Sequence, residues 1–239
     1  MRVEIWSDIV CPWCYIGKAR FEQGLAAFEG RDGVEVVHRS FELDASARRE
    51  PDGKPVTEML AGKYGVPLEQ AKAMEARVAD AAAGEGLTYR TDRLHSGTFD
   101  LHRVVHLAKD RGLQDAVLGA FYRANFAEAK PIADDEAVVE AAASAGLDAD
   151  EVRKVLADPT AYADAVRADE AEAQALGISG VPFFVIDRKY GISGGQPAEV
   201  FTQALRQAAA ENPLQMVSAQ ADAPACEDGA CDVPGAGAK

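Results

Sequence analysis

Four cysteines carry the most recognisable chemistry in this chain of 239 residues, and they form two close pairs. Cys11 and Cys14 are the ends of a C-P-W-C motif near the start, and Cys226 and Cys231 are the ends of a C-x4-C motif near the end. Close pairs in a reducing compartment indicate thiol–disulfide exchange or metal binding, whereas disulfide-stabilised secreted folds spread their cysteines along a short chain. A structural zinc site needs four ligands, and the sequence contains no second C-x2-C motif, so we predict thiol chemistry and no metal.

The residues around the first pair predict that both of its thiols lie at the start of a helix. Residues 3–6 alternate between apolar and polar side chains as a strand does, and apolar residues recur at helical spacing over residues 16–28. Unpaired N–H groups and the dipole at a helix N-terminus favour the thiolate, so Cys11 is the predicted nucleophile. Cys14 follows one turn later on the same face, where it can displace a mixed disulfide formed at Cys11. Two inert, buried cysteines are the alternative.

A second motif lies far along the chain. Val181 and Pro182 stand directly before an apolar run at residues 183–186, and Gly180 before them permits close approach of another backbone. X-Pro bonds are the peptide bonds for which the cis form costs little. Together with a C-x2-C motif in a strand–helix–strand start, this bond strengthens the redox interpretation.

The remaining pattern predicts a helical segment between two groups of strands. A strand over residues 34–43 completes a β-α-β start, and the apolar period changes from 2 to 3.6 at the charged segment 48–53. Strands return near residue 178, with a hairpin formed by 180–186 and 192–195, and a last helix covers 198–211. Between these groups we predict helices over residues 57–63, 68–85, 98–111, 113–128, 134–145, 150–157 and 159–176, with Pro159 in the first turn of the last one.

Three segments carry a resemblance to a known family: residues 7–18 (SDIVCPWCYIGK), 177–186 (GISGVPFFVI) and 190–197 (YGISGGQP). Together they resemble the FrnE-like branch of the DsbA family, whose members are thioredoxin folds with a helical insertion. The resemblance extends to about residue 211. It implies an α/β protein with a discontinuous thioredoxin-like domain at residues 1–45 and 177–211, an all-helical insertion domain at 46–176, and a tail at 212–239 that we expect to be flexible.

The resemblance also assigns roles to individual residues. It implies that Cys11 is the nucleophile, that Cys14 resolves the mixed disulfide, and that Pro182 is cis and flanks the pair. Val181 would offer backbone groups to an extended substrate segment, as in β-strand addition. Trp13 stands where exported DsbA enzymes carry a histidine that donates to the thiolate, so we expect a weaker oxidant with Trp13 in contact with substrate.

Other polar residues near the motif allow more than one interpretation. His102 lines the cleft over Cys11 if the resemblance holds. His102 and His106 are one helical turn apart, as metal ligands are, but Arg103 follows His102 where an H-E-x-x-H motif has glutamate, so we expect a structural role. Asp8 would either disfavour the thiolate or cap an exposed turn.

The function implied is that of a thiol–disulfide oxidoreductase, which oxidises, reduces or isomerises protein disulfides. The alternative is a glutathione-dependent isomerase or transferase of the 2-hydroxychromene-2-carboxylate isomerase and kappa class, which typically has serine in place of Cys11. A catalytically idle binding module is disfavoured by the intact pair. We predict no organic cofactor, although glutathione could serve as co-substrate. The expected partners are a disulfide-containing protein or small-molecule substrate and a cytosolic thiol reductant.

Charge and hydropathy narrow the location and the partners. Thirty-nine acidic residues against 25 basic ones give a net charge of −14, which repels polyanions, so neither nucleic acid nor an anionic membrane surface is expected as a partner. Glu4 and Asp8 interrupt the start of the chain where a secretory signal has a basic and then an apolar region. No apolar run approaches the roughly 18 residues of a membrane span. We therefore predict a cytoplasmic protein.

The second cysteine pair extends the redox hypothesis to the tail. Four residues separate Cys226 from Cys231, and Gly229 among them can turn tightly, so an internal disulfide is sterically possible. The segment from residue 213 to Cys226 is long enough to reach the first pair. We expect a second redox pair that exchanges with Cys11 and Cys14. The alternatives are an unreactive tail and a metal ion bound by the two thiols alone.

Overall fold

The strands of the described part of the protein form one mixed sheet. A computed structural model describes residues 1–47 and 54–211. The sheet has the order β2-β1-β3-β4 and comprises β1 (Arg2–Ser7), β2 (Glu35–Ser40), β3 (Phe183–Ile186) and β4 (Tyr190–Ser193). β1 pairs in parallel with β2 and antiparallel with β3, and β3 and β4 form a hairpin.

Helices cover both the sheet and the long connection between β2 and β3. They are α1 (Pro12–Ala26), α2 (Val56–Tyr64), α3 (Leu68–Gly84), α4 (Phe99–Asp110), α5 (Gln114–Tyr122), α6 (Asp135–Ser144), α7 (Ala149–Ala157), α8 (Ala163–Ala175) and α9 (Ala198–Ala210). Because α2 to α8 all lie between β2 and β3, the predicted α/β fold with a helical insertion is confirmed. The predicted domain boundaries stay a prediction. None of the described helices is both long and apolar enough to cross a membrane.

Two of the predicted helices differ from those observed. The helix expected over 113–128 changes at Tyr122 into a π-helical turn, Arg123–Ala127. The helix expected to begin at Pro159 begins at Ala163, so Pro159 is not in its first turn. There the Asp158 carboxylate accepts hydrogen bonds from both the N–H and the O–H of Thr160, at 2.9 and 2.7 Å, and these local bonds compete with helix formation.

Two apolar cores meet near the end of β1. One lies between the sheet and helices α1 and α9, where the rings of Phe184 and Phe201 are 4.6 Å apart in an edge-to-face arrangement. The other fills the insertion and reaches the loop after β1, where it includes Ile9, Cys11 and Cys14. The thiols of the first pair therefore belong to the core of the insertion.

A buried charged group joins α8 to the sheet. The Asp169 carboxylate accepts from the Arg39 guanidinium at 2.8 Å and from the Ser40 N–H at 2.9 Å, and its backbone carbonyl accepts from the Trp6 indole at 2.9 Å. Burial raises the pKa of Asp169, but the hydrogen bond from His106 and the others outweigh it and hold this pKa below its usual value. The Asp169 carboxylate can remain charged while buried because it is paired with a cation and hydrogen-bonded.

Close packing of α1 on α9 predicts a specific effect of substitution at Gly24. A Cβ atom there would lie 2.5 Å from the Ala198 carbonyl oxygen and 2.8 Å from the Phe201 Cβ. We expect Gly24→Ala to lower the free energy of unfolding by about 1–3 kcal/mol, measured by urea denaturation. Gly62→Ala is the matched control, because Gly62 lies in α2 and a Cβ added there would meet no neighbouring atom within 4 Å, so alanine should stabilise the helix by up to about 1 kcal/mol. Equal stability of the two variants would contradict this packing argument.

Candidate active site

Cys11 lies at the junction of the sheet and helix α1. It is the N-cap residue of α1, with an extended backbone, and Pro12 occupies the first helical position, where its missing N–H costs no hydrogen bond. The Cys11 thiol is 3.5 Å from the Val181 carbonyl oxygen, to which it donates, and the Val181–Pro182 peptide bond is cis. The structure thus brings the C-P-W-C motif and the Val-Pro motif together, 170 residues apart in sequence.

The two thiols of the pair have different surroundings. Cys14 is 1% exposed and Cys11 is 4% exposed, but of the two only Cys11 lines the groove described below. Burial raises the pKa of the Cys14 thiol well above its usual value, and the hydrogen bond and charge of Cys11 raise it further. Cys14 is therefore protonated at neutral pH, which leaves Cys11 as the sulfur able to attack first.

A groove of about 240 Å³ opens beside Cys11. Trp13 lines it and is 43% exposed. The other walls come from the segment after β2, from the α2–α3 hairpin and from residues 93–98. A mostly apolar concave surface that ends at a nucleophile is the usual form of a binding site.

Asp8 and His102 lie close to the cysteines, and two expectations for them are wrong: that Asp8 caps an exposed turn and that His102 lines the groove. Asp8 is 1% exposed, so it does not cap an exposed turn; its carboxylate accepts from the Leu43 N–H at 2.7 Å and its carbonyl from the Cys11 N–H at 3.1 Å. His102 does not line the groove, because packing of α4 buries its side chain behind Asp8, with Nε2 3.5 Å from the carboxylate. The buried His102 side chain therefore contacts Asp8 and does not reach the groove.

His102 and His106 of α4 do not face a common site. The His106 Nε2 atom lies 3.1 Å from the Asp169 carboxylate and 3.2 Å from the Ser40 hydroxyl, whereas His102 faces Asp8. Within residues 1–47 and 54–211, no three His, Cys, Asp or Glu side chains are arranged to hold a metal ion. Cys226 and Cys231 lie outside the described residues.

Sequence reasoning missed a buried amide that holds the loop before Cys11. Asn125, in the π-helical turn, is 1% exposed, and its side-chain amide donates to the Ile9 carbonyl at 3.2 Å. π-Helical turns occur often at functional sites. An asparagine next to Phe126 in a mostly apolar helical segment was the available signal, since a buried amide needs a partner.

The same turn places an aromatic stack beside the cysteines. The Phe126 ring stacks between Tyr15 and Tyr89, with centroid distances of 5.1 and 5.4 Å. The Arg93 guanidinium lies 4.6 Å from the Phe126 centroid and 2.7 Å from the Glu75 carboxylate. Phe126 therefore joins the segment of residues 89–93 to the helix of Cys14.

Comparisons with known proteins show the family and relatives of the same fold. The family of the DSBA-like thioredoxin domain matches residues 2–206. A solved structure of a probable DsbA oxidoreductase from Streptomyces coelicolor is 63% identical and superposes with a TM-score of 0.86. The match covers 98% of this chain and 100% of that one. The uncharacterized protein YwbO of Bacillus subtilis is 27% identical over 208 residues, which are 86% of this chain and 96% of that protein. The cytosolic disulfide reductase DsbM from Pseudomonas aeruginosa, solved with GSH, shares the fold, with 20% identity, a TM-score of 0.59 and coverage of 87% of this chain and 98% of that one.

The unequal thiols predict unequal alkylation. We expect iodoacetamide to modify Cys11 before Cys14 at neutral pH, because the raised pKa of Cys14 keeps it as the unreactive thiol. Modification of Cys14 should accelerate only when the pH exceeds the ordinary thiol value of ~8.5. Peptide mass spectrometry over a pH series measures both rates. Faster modification of Cys14 would reverse the assigned roles.

The Asn125 contact predicts a loss of both stability and reactivity. Asn125→Leu leaves the buried Ile9 carbonyl unpaired, which should cost about 1–3 kcal/mol of stability and slow the reaction of Cys11 about tenfold through misplacement. Gln114→Met is the matched control, because the Gln114 amide likewise joins the insertion to the sheet, through the His38 N–H and carbonyl at 3.0 and 2.9 Å. The control should lose stability without slowing Cys11, as measured by thermal unfolding and alkylation. Equal slowing in both would show that Asn125 acts only through stability.

Proposed function

Because the chain belongs to the DSBA-like thioredoxin domain family, we propose that its Cys11 and Cys14 thiols exchange two electrons with the disulfides of protein substrates. The observation that carries this proposal is the asymmetry of the pair. Cys11 faces the groove and the Val181 carbonyl, while the pKa of Cys14 is raised by burial. Sequential disulfide exchange requires an attacking thiolate that the substrate can reach, here through the groove, and a second thiol that is protected.

The proposed reaction has two exchange steps. The Cys11 thiolate attacks one sulfur of the substrate disulfide, and the other substrate sulfur leaves as a thiolate that takes up a proton. Cys14 then loses its proton and attacks the Cys11 sulfur, which releases the second substrate thiol and leaves a Cys11–Cys14 disulfide. The substrate disulfide gains two electrons and the enzyme dithiol loses them. The same steps in reverse oxidise a substrate dithiol, and repeated attack by Cys11 isomerises disulfides.

The neighbours of the pair have proposed roles in substrate contact. Val181 and Pro182 form the edge against which an extended segment would lie, and Trp13 offers an exposed apolar ring beside the reacting sulfur. Trp13 brings no positive charge to the Cys11 thiolate, so the enzyme is a weaker oxidant than one with histidine there.

The proposed setting is the cytoplasm, with a thiol reductant that restores the Cys11–Cys14 dithiol. Glutathione could act as that reductant or as a co-substrate. A disulfide-containing small molecule is the other substrate class. The C-x4-C pair of Cys226 and Cys231 is proposed as a second redox pair that relays electrons to the first. Detection by mass spectrometry of a crosslink from Cys11 to either tail cysteine, in a variant that lacks Cys14 and the other tail cysteine, would support the relay.

The proposed function predicts distinct behaviour of the two single-serine variants. The wild type should catalyse reduction of insulin disulfides by dithiothreitol, and Cys11→Ser should reduce the rate to the uncatalysed value because the attacking sulfur is lost. Cys14→Ser should instead accumulate a mixed disulfide through Cys11, visible by mass spectrometry, since nothing resolves it. Glutathione-dependent chromene isomerisation that survives in Cys11→Ser would favour the isomerase class instead.

A further inference from the structure

Helix α1 carries a buried glycine in its interior, where a helix would gain from a side chain. Apart from proline, glycine is the least favourable residue at such a position, so Gly17 calls for a packing reason. A Cβ atom on Gly17 would lie 3.0 Å from the Pro182 Cγ atom and 3.2 Å from the Gly195 Cα atom. Helix α1 therefore packs against Pro182 and Gly195 with no room for a side chain between them.

The contact is equally tight from the side of Gly195. A Cβ atom there would lie 3.2 Å from the Trp13 carbonyl oxygen and 3.3 Å from the Gly17 Cα atom. These distances are shorter than the roughly 3.5–4.0 Å of an ordinary contact between non-bonded atoms. A methyl group on either glycine would therefore have to push the two segments apart by a few tenths of an ångström.

The segment that contains Gly195 is bonded to the one that faces Cys11. The Gly194 N–H donates to the Pro182 carbonyl at 2.8 Å, and the two segments continue into the paired strands β3 and β4. Val181, directly before Pro182, carries the carbonyl that lies 3.5 Å from the Cys11 sulfur. A displacement of Gly195 is therefore passed on to the backbone beside the reacting sulfur.

Arg20 of α1 holds the same segment at a second point. Its Nη1 atom donates to the Gly195 carbonyl oxygen at 2.7 Å, and its Nε atom donates to the Glu85 carboxylate, also at 2.7 Å. Because Glu85 is the C-cap residue of α3, one guanidinium group joins α1, the insertion and the segment after β4. This bond is independent of the glycine contact and acts on the same residue.

We propose that Gly17, Gly195 and Arg20 are positioning residues. They fix the distance between the Cys11 sulfur and the backbone of Val181. The inference rests on the proposed function, in which an extended substrate segment lies against Val181 while its disulfide meets Cys11. Such a substrate has to satisfy both contacts at once, so a small shift of one against the other slows its reaction. A small electrophile needs the sulfur alone and is not affected in this way.

Two rate constants, measured on each reduced variant, separate positioning from stability. One is the second-order rate constant for oxidation of the enzyme by excess insulin, whose disulfides are reduced, followed by mass spectrometry of acid-quenched samples. The other is the rate constant for alkylation of Cys11 by iodoacetamide. Both reactions use the Cys11 sulfur, but only the reaction with insulin also needs the Val181 backbone. The ratio of the two rate constants therefore reports on positioning and cancels differences in the amount of folded protein.

The glycine variants test the close contact. Gly17→Ala and Gly195→Ala should each lower the insulin-to-iodoacetamide ratio about three- to tenfold, because each separates the same two segments. Gly24→Ala is the matched control, since Gly24 is also buried in α1, but a Cβ atom there would meet the Ala198 carbonyl and the Phe201 Cβ of α9. Its ratio should equal that of the wild type although its stability falls.

The arginine variants test the second point of attachment. Arg20→Met removes the donor to the Gly195 carbonyl without adding an atom to the glycine contact, so the ratio should fall about threefold. Arg206→Met is the matched control, because Arg206 likewise bonds a carboxylate and a carbonyl, those of Glu29 and Ala27, at 3.1 and 3.4 Å. These partners lie just past the opposite end of α1 from the thiol, so the ratio should persist.

Equal ratios in the two arginine variants, or in all three glycine variants, would overturn the proposal. The proposed function has a different mode of failure, which is visible in the wild type. If the wild type reacted with iodoacetamide but exchanged with no disulfide, the proposed function would fail, and this inference with it.

Discussion

The turn that leads from β1 to Cys11 is the constraint on which the rest of the site depends. Within four residues this turn must end a buried strand, begin a helix and present a thiol. It is closed by a hydrogen bond from the Cys11 N–H to the Asp8 carbonyl oxygen, at 3.1 Å. The turn is held from outside at two further points, by the Leu43 N–H on the Asp8 carboxylate and by the Asn125 amide on the Ile9 carbonyl. Segments from the end of β2 and from the insertion thus fix one short loop, and the position of the sulfur follows from all of them.

The chemistry of the pair follows from where the two cores meet. Cys14 belongs to the apolar core of the insertion, and burial there keeps its thiol protonated. Cys11, one helical turn earlier, borders the same core but opens onto the groove and faces the Val181 carbonyl. A separation of three residues in the helix is therefore enough to give the attacking thiol and the resolving thiol different surroundings. The helical spacing sets the distance between the two sulfur atoms, and the packing of the insertion sets the difference between their surroundings.

Much of this arrangement could be predicted from the sequence because it is local. The strand before Cys11, the helix opened by Pro12 and the Val-Pro motif before β3 each leave a pattern in adjacent residues. The position of His102 could not be predicted in the same way, because residues 101–108 of α4 are all buried and no polar face shows which side meets Asp8. The π-helical turn was equally hidden, since one extra residue in a turn leaves the apolar spacing nearly unchanged.

The charged group at Asp169 has a consequence for how this architecture can change. Asp169 sits on α8, inside the insertion, yet its partners Arg39, Ser40 and Trp6 all belong to the strands of the sheet. A shortened chain that joined β2 directly to β3 would leave the Arg39 guanidinium facing Glu4 alone and the Trp6 indole with no acceptor. Removing the insertion would therefore leave polar groups of the sheet without their partners. A redesigned insertion has to place a carboxylate and a carbonyl where Asp169 holds Arg39, Ser40 and Trp6.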